Sequence, residues 1–223
     1  MDVLTFFKKV YRRLRSMAKS WSMKLISPIR RYKTFQQLKS GIGTQPVKLH
    51  LGCGHIRIPG FLNVDILESS AVDLQDDISR LNKVPNNSVD LIYACHVLEH
   101  FSHTEALAVL KRWHEVLKPG GEMRISVPDT DRIVNIYKNN WQHFQMPGNS
   151  PWIGLIYGGQ GDPYDFHKTG FNFCWMKHLL DGIGFTGVSE YPHEPHFIPG
   201  VVDASLAKEP FGEFFSLNVV CKK

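Results

Sequence analysis

The 223-residue chain reads as an α/β protein, a doubly wound, mostly parallel sheet of seven strands behind a basic amphipathic N-terminal helix. Three observations predict this. From Val47 onward, short apolar runs alternate with helical patterns, the grammar of a parallel sheet wrapped by helices. The first run ends in the glycine loop Leu51-Gly52-Cys53-Gly54, and the second ends in a carboxylate, Val64-Asp65. With 43% hydrophobic and 21% charged residues, the composition is that of a globular chain with one sizeable core. Disordered, collagen-like and membrane-spanning classes are therefore excluded.

The chain divides into a helix and linker over residues 1–43 and a core domain over 44–223. The net charge of +5 is unevenly spread: residues 1–40 hold eleven Lys and Arg against one acid, a net +10, which leaves −5 for the remainder. Val3, Phe7, Val10, Leu14, Met17, Trp21 and Leu25 recur at spacings of four and three, so they share one helical stripe. The bases fall mostly off that stripe, and Pro28 ends the helix. Such a helix fits an interfacial segment lying on an anionic membrane through residues 3–25. A homodimer seam or docking on the core domain ranks second. Nucleic acid ranks last, because the base-stacking motifs of RNA modules are missing from the sequence. Cys53, Cys95, Cys174 and Cys221 are too dispersed for a disulfide framework or a zinc site, and the leader lacks the apolar core of a secretory signal. The expected location is cytoplasmic, peripheral on the inner face of the membrane.

Strands are expected at Val47–Leu51, Leu62–Asp65, Val72–Leu74, Val89–Tyr93, Glu122–Val127, Gly187–Tyr191 and Ser216–Cys221. The clearest helix is Thr104–Leu117, in which Ala106, Leu107, Leu110, Trp113, His114 and Leu117 share a face and Lys118-Pro119-Gly120-Gly121 supplies the stop. A second helix spans Trp175–Gly182.

Glycines at the carboxyl end of a strand let a ligand approach the backbone, and an acid ending the next strand can accept from both hydroxyls of a ribose. Leu51, Gly52, Cys53, Gly54 and Asp65 thus fit a nucleoside-bearing cofactor, with a simple turn and an exposed Asp as the alternative on these residues alone. A dinucleotide is disfavoured, since Arg57 stands where its third small residue is needed and Asp65 lies too close to the loop. No G-K-[ST] follows, so a P-loop fails as well.

The ordered motifs resemble the class I S-adenosylmethionine-dependent methyltransferases over about residues 47–223. Leu49-His50-Leu51-Gly52-Cys53-Gly54 resembles the glycine loop under the methionine moiety. Asp65 resembles the ribose acid, and Asp77 the acid near the adenine. Val89-Asp90-Leu91-Ile92-Tyr93-Ala94-Cys95-His96-Val97-Leu98-Glu99-His100 resembles the fourth strand and its turn, which brings Cys95 and His96 to the cofactor. The resemblance implies S-adenosyl-L-methionine as cofactor and an antiparallel last strand. Gly60-Phe61-Leu62-Asn63-Val64-Asp65, Tyr157-Gly158-Gly159-Gln160, Asp165-Phe166-His167-Lys168-Thr169-Gly170-Phe171 and Ser216-Leu217-Asn218-Val219 are similar to a bacterial subgroup often linked to surface-polysaccharide clusters. One departure stands out: the ten residues between Gly54 and Asp65 are too few for a helical crossover, so that first helix is expected to be missing or a single turn.

For an acceptor hydroxyl, His167 is read either as the general base, oriented by Asp165, with Tyr157 and Asp129 lining the acceptor site, or as a structural loop residue that hydrogen-bonds its own turn. His96-Val97-Leu98-Glu99-His100 matches the H-x-x-E-H spacing of some zinc peptidases, but its place after a strand argues against a peptidase. A divalent ion on Glu99, His100 and His96 or His103, as implied by O-methyltransferases with a similar E-x-x-E-H segment, is disfavoured because His96 stands where those have Glu. No metal is expected, and Glu99 and His100 are expected to hydrogen-bond beneath the cofactor. His193, Glu194, His196 and Asp203 sit in a Pro-rich connection and are read either as acceptor contacts or as a solvated loop. The expected activity is methyl transfer to a hydroxyl of a saccharide or another small or lipid-linked acceptor. The alternatives are a non-enzymatic S-adenosylmethionine-binding scaffold, or a methyltransferase acting on nucleic acid or protein.

Overall fold

The computed structural model describes residues 46–142, 151–208 and 212–223. The expected N-terminal helix, with its membrane and dimer contacts, lies outside the described residues. Seven strands form one sheet: β1 (Lys48–Leu51), β2 (Leu62–Asp65), β3 (Leu74–Gln75), β4 (Val89–Cys95), β5 (Leu117–Pro128), β6 (Thr186–Glu190) and β7 (Ser216–Lys222). Their order is β3-β2-β1-β4-β5-β7-β6. The first five pair in parallel, and β7 runs antiparallel to both β5 and β6. From β1 the chain steps outward through β2 and β3, then returns to the other side of β1 as β4. That reversal is a topological switch point, where ligands bind outside the carboxyl ends of the strands.

Among the described residues four helices accompany the sheet: α1 (His103–Val116), α2 (Thr130–Asn140), α3 (Pro151–Tyr157) and α4 (Phe173–Ile183). Helix α1 starts on a full capping box between Ser102 and Glu105, two orphan backbone donors satisfied reciprocally. Its buried face is Ala106, Val109, Leu110, Trp113 and Val116; the expected stripe was rotated by part of a turn, with His114 at its edge. Met176 and Leu180 of α4 join α1 and the central strands in the main core. Helix α4 stops at Gly184, which at φ +110° takes the left-handed conformation that glycine adopts without strain. Helix α2 is capped by Asp129, whose Oδ1 accepts from the Asp131 and Arg132 amides. Asp129 is thereby a helix cap and an ion-pair partner of Arg132 at 2.9 Å, which replaces the acceptor-lining role expected of it.

The short crossover expected after β1 is present: residues 52–61 run from β1 to β2 without a helix. Fully buried Asn63 takes over the work of holding it. Its Oδ1 accepts from Ile58 N (2.9 Å), and its Nδ2 donates to Ile58 O (3.2 Å), Phe61 O (3.1 Å) and Asp73 Oδ2 (2.8 Å). Ile58 and Phe61 of this loop pack on Tyr93 of the sheet, closed by Phe197, Ile198 and Val201. Here irregular segments cover the strands where a helix would otherwise pack. His196, Asp203 and Tyr93 form a buried network on this face: the Tyr93 hydroxyl donates to Asp203 Oδ2 at 2.6 Å, with His196 Nε2 3.5 Å from the same oxygen. His193 donates to Ser216 O at 2.8 Å and stacks on Phe214. The Pro-rich connection is therefore built into the fold through these groups.

Candidate active site

The carboxyl ends of β1, β2 and β4 converge on a cavity of about 570 Å³, within the size range of small-molecule sites. Gly52 leaves β1 at φ +63°, and a Cβ there would stand 2.3 Å from Val97 Cγ2. Two residues on, Gly54 sits at φ +50° with nothing within 4 Å of a Cβ position, so its backbone borders the cavity directly. Asp65, at the end of β2, ties the loop down. Its Oδ2 accepts from Gly54 N and its Oδ1 from Leu67 N, both at 2.8 Å. Ser69 Oγ donates to Gly54 O at 2.7 Å. Asp77 lines the cavity from beyond β3, its Oδ1 accepting from Ser79 N and Oγ. Ile66, Leu67, Ile78, Val97 and Phe101 add an apolar lining.

Of the residues expected at the cofactor, Gly52, Gly54, Asp65, Asp77 and His96 border this cavity. Leu51, Cys53 and Cys95 do not, and strand geometry gives the reason. Successive side chains of a strand point to opposite faces. Leu51 is fully buried in the main core, and Cys53 packs with Ala71 and Val72. Cys95 shares with Tyr93 the sheet face opposite to Ala94. These three serve through backbone or packing.

His96 follows β4 at φ +52°, a left-handed conformation that L residues with a side chain adopt rarely. Its backbone N–H donates to Ser126 O at 2.8 Å. The turn after it, Leu98–His100, carries Glu99, which is 1% exposed. The loop containing His167 is laced to that turn, since Lys168 N and Thr169 N both donate to Glu99 O, at 2.8 and 3.3 Å. Four titratable side chains thereby meet beside the cavity, which two of them, His96 and His100, line. His96 Nδ1 lies 3.4 Å and His167 Nε2 3.9 Å from Glu99 Oε1, and the His100 and His167 rings are 5.1 Å apart between centroids. Burial pushes the Glu99 carboxyl up to about 8. Burial, with the His167 ring behind it, holds His96 down at about 3. His167 is lowered by burial and by His100.

Two expectations change here. Asp165 does not orient His167: its carboxylate accepts from the Gly159 and Gly161 amides at 3.3 and 3.2 Å, bracing its own loop, while Glu99 is the acid facing the imidazole. The Glu99 carboxylate makes no hydrogen bond among the described residues, contrary to the role expected beneath the cofactor. Tyr157 is 55% exposed at the end of α3 and meets His167 through its carbonyl, which accepts from His167 N at 3.1 Å. His55, next to Gly54, also borders the cavity, as do Tyr164 and Lys168; no spacing rule in the sequence links the last two to strand ends so distant in the chain.

The protein family described as a methyltransferase domain matches residues 58–125. A search of curated proteins finds no match. Among solved structures, a SAM-dependent methyltransferase from Archaeoglobus fulgidus is 18% identical with a TM-score of 0.50, covering the whole of both chains. The 1,6-didemethyltoxoflavin-N1-methyltransferase of Burkholderia thailandensis, solved with 1,6-didemethyltoxoflavin and S-adenosylhomocysteine, is 16% identical with a TM-score of 0.51, over 100% of this chain and 91% of that one. A SAM-dependent methyltransferase from Methanosarcina mazei is 16% identical with a TM-score of 0.51, over 83% of this chain and 95% of that one. These likenesses establish the fold. The methyltransferase-domain match over residues 58–125 falls within this sheet and takes in residues that line the cavity, Asp65, Asp77 and His96 among them.

Proposed function

We propose that the protein methylates a hydroxyl of a saccharide or of another small or lipid-linked acceptor. The observation that carries the reading is the group of His96, Glu99, His100 and His167 beside the cofactor cavity, which His96 and His100 line; an acceptor oxygen seated there can lose its proton. S-adenosylmethionine supplies a methyl group on a sulfonium, which moves in line to the acceptor, so alignment accounts for much of the acceleration. The Gly52 and Gly54 backbone and the Asp65 carboxylate suit the cofactor: the open side of Gly54 is a cradle that a Cβ would fill, and Asp65 faces it. Asp65 would take the ribose hydroxyls and Asp77 the adenine end.

Deprotonation is left to this chain's own side chains. His167 Nδ1 is tied to Leu155 O at 3.2 Å, which leaves Nε2 as its free nitrogen, on the side of Glu99. The cavity rim supports a polyhydroxyl acceptor, because Glu105, Asp162, Asp165 and Lys168 border it as hydrogen-bonding groups. Tyr157, Tyr164 and Phe166 are exposed aromatic surfaces at this end, suited to stacking on a sugar ring or an apolar tail. A lipid-linked acceptor would also give the basic amphipathic segment over residues 3–25 a purpose, by holding the enzyme at an anionic membrane.

Calorimetry with S-adenosylmethionine, followed by transfer of tritiated methyl into cell fractions, tests the reading. Binding that Asp65→Ala abolishes, with label in glycan or glycolipid, is expected. Absence of binding would overturn the enzyme reading, and label confined to protein or nucleic acid would overturn the acceptor. Flotation with anionic liposomes should separate the full chain from one lacking residues 1–30; equal behaviour would remove the membrane role.

A further inference from the structure

We propose that Glu99, His100 and His167 bind a divalent first-row transition-metal ion at the acceptor end of the cavity. The assignment rests on the reading of that end as the acceptor site, and it differs from the ligand set suggested by sequence spacing, because His167 enters from a loop 67 residues beyond His100.

The argument is one of donors and acceptors. His100 Nδ1 lies 3.2 Å from Phe166 O, and His167 Nδ1 lies 3.2 Å from Leu155 O. A carbonyl only accepts, so each Nδ1 carries a hydrogen and each neutral ring keeps its lone pair at Nε2. The carboxylate between them is acceptor-only when ionised, is 1% exposed, and has neither oxygen in a hydrogen bond among the described residues. A third ring adds to the excess. Ser216 Oγ donates to Ala204 O at 3.0 Å, so it accepts from His96 Nε2 at 2.8 Å. His96 therefore presents an unprotonated Nδ1 to Glu99 Oε1 at 3.4 Å. Lone pairs are crowded together with too few hydrogens to satisfy them, an arrangement that costs free energy in a buried site. One proton relieves a single pair, whereas one cation relieves all of them.

The geometry suits such an ion. One donor atom from each of Glu99, His100 and His167 lies within 4.8 Å of the others, and bonds of about 2.0–2.2 Å to nitrogen and oxygen place two ligands of one ion at most about 4 Å apart. Small side-chain rotations close that difference. The carbonyls on both Nδ1 atoms supply the outer hydrogen bonds that fix the tautomer of a metal-binding histidine. Two imidazoles with one carboxylate favour manganese, iron, cobalt or zinc over magnesium or calcium, and three protein ligands leave positions open to the cavity that His100 borders.

The ion would change what His167 does. An acceptor hydroxyl coordinated at an open position loses its proton to water in the cavity, because the cation lowers its pKa. The oxygen lone pair then forms the C–O bond while the methyl–sulfur bond breaks with its electrons going to sulfur. His167 becomes a ligand, and the cation takes over the task of the base.

The test uses untagged full-length protein stripped with a chelator and titrated with Co²⁺, read by calorimetry and visible absorption. One ion per chain is expected, with Glu99→Gln, His100→Gln and His167→Gln each weakening it at least ~100-fold and shifting the d–d bands. His178→Gln, an exposed site on α4, should leave binding unchanged. Thermal melting and S-adenosylmethionine calorimetry check that each variant is folded; if one is not, the other two provide the same readout. Binding that is far below one ion per chain, or equal in protein with and without the three substitutions, would overturn the site and leave Glu99 sharing a proton with the rings. The readout contains neither cofactor nor acceptor, so its failure is separate from failure of the methyl-transfer reading, which shows as loss of S-adenosylmethionine binding in unsubstituted protein.

Discussion

Gly52→Ala tests how β1 hands the chain to the cofactor loop. The position carries two independent costs. At φ +63°, a residue with a Cβ pays roughly 1–2 kcal/mol for left-handed backbone. The new Cβ would also stand 2.3 Å from Val97 Cγ2 and 3.0 Å from Cγ1, an overpacking that costs roughly 1–3 kcal/mol. Together they predict a loss of about 2–5 kcal/mol. The two parts separate in a double-mutant cycle. Val97→Ala removes both clashing methyls and by itself costs about 2 kcal/mol, since Val97 is buried. The double variant should then be about 1–3 kcal/mol more stable than the sum of the single effects, because the steric part vanishes and the backbone part stays. Urea unfolding of the four proteins, followed by circular dichroism, measures this. Additivity within about 0.5 kcal/mol would refute the reasoning, as it would mean that Val97 does not shape the turn.

Three further outcomes follow from the same structure. Gly54→Ala pays only the left-handed term of roughly 1–2 kcal/mol, because its Cβ meets nothing within 4 Å; yet S-adenosylmethionine affinity should fall about tenfold or more by calorimetry, since that methyl takes space where the ligand approaches the backbone. Burial lowers the pKa of His50, whose Nδ1 bonds Asn63 Oδ1 at 3.1 Å, so the native state binds fewer protons than the unfolded chain. That stability is full above the unfolded value near 6.5 and is lost as pH falls towards the native one. His50→Gln should flatten the decline between pH 7 and 5 by up to about 1.4 kcal/mol per pH unit, and parallel denaturation profiles would contradict this. Cys174 is exposed, whereas burial raises the Cys95 thiol and pushes Cys53 and Cys221 up to about 12; a thiol reagent should therefore label one site in the native protein and four after unfolding.

What could be read from the sequence was set by the range over which its signals act. Short apolar runs and helical stripes are local signals, so the strands and the two main helices lie close to where they are expected, except that β5 begins at Leu117, directly after α1 and through the expected stop Lys118-Pro119-Gly120-Gly121. Helix α2 was missed because its two buried residues, Ile133 and Ile136, make too short an apolar stripe to register as periodic. The glycine loop and Asp65 were legible for a related reason: a short crossover keeps Gly54 and Asp65 close in sequence as well as in space, and the bond between them at 2.8 Å realises that spacing.

The group around Glu99 obeys a different logic. Asp165 looked like the partner of His167 because it is two residues away, yet in an extended loop the two side chains part, one to the Gly159 and Gly161 amides and the other towards Glu99. What joins His167 to Glu99 is a pair of backbone hydrogen bonds, Lys168 N and Thr169 N to Glu99 O, which any two residues can supply and which leave no trace in side-chain identity. A buried carboxylate without a hydrogen-bond partner is likewise invisible to spacing. It emerges only when burial, tautomer and distance are taken together, which is why the residues most informative about the chemistry were the hardest to assign from their order in the chain.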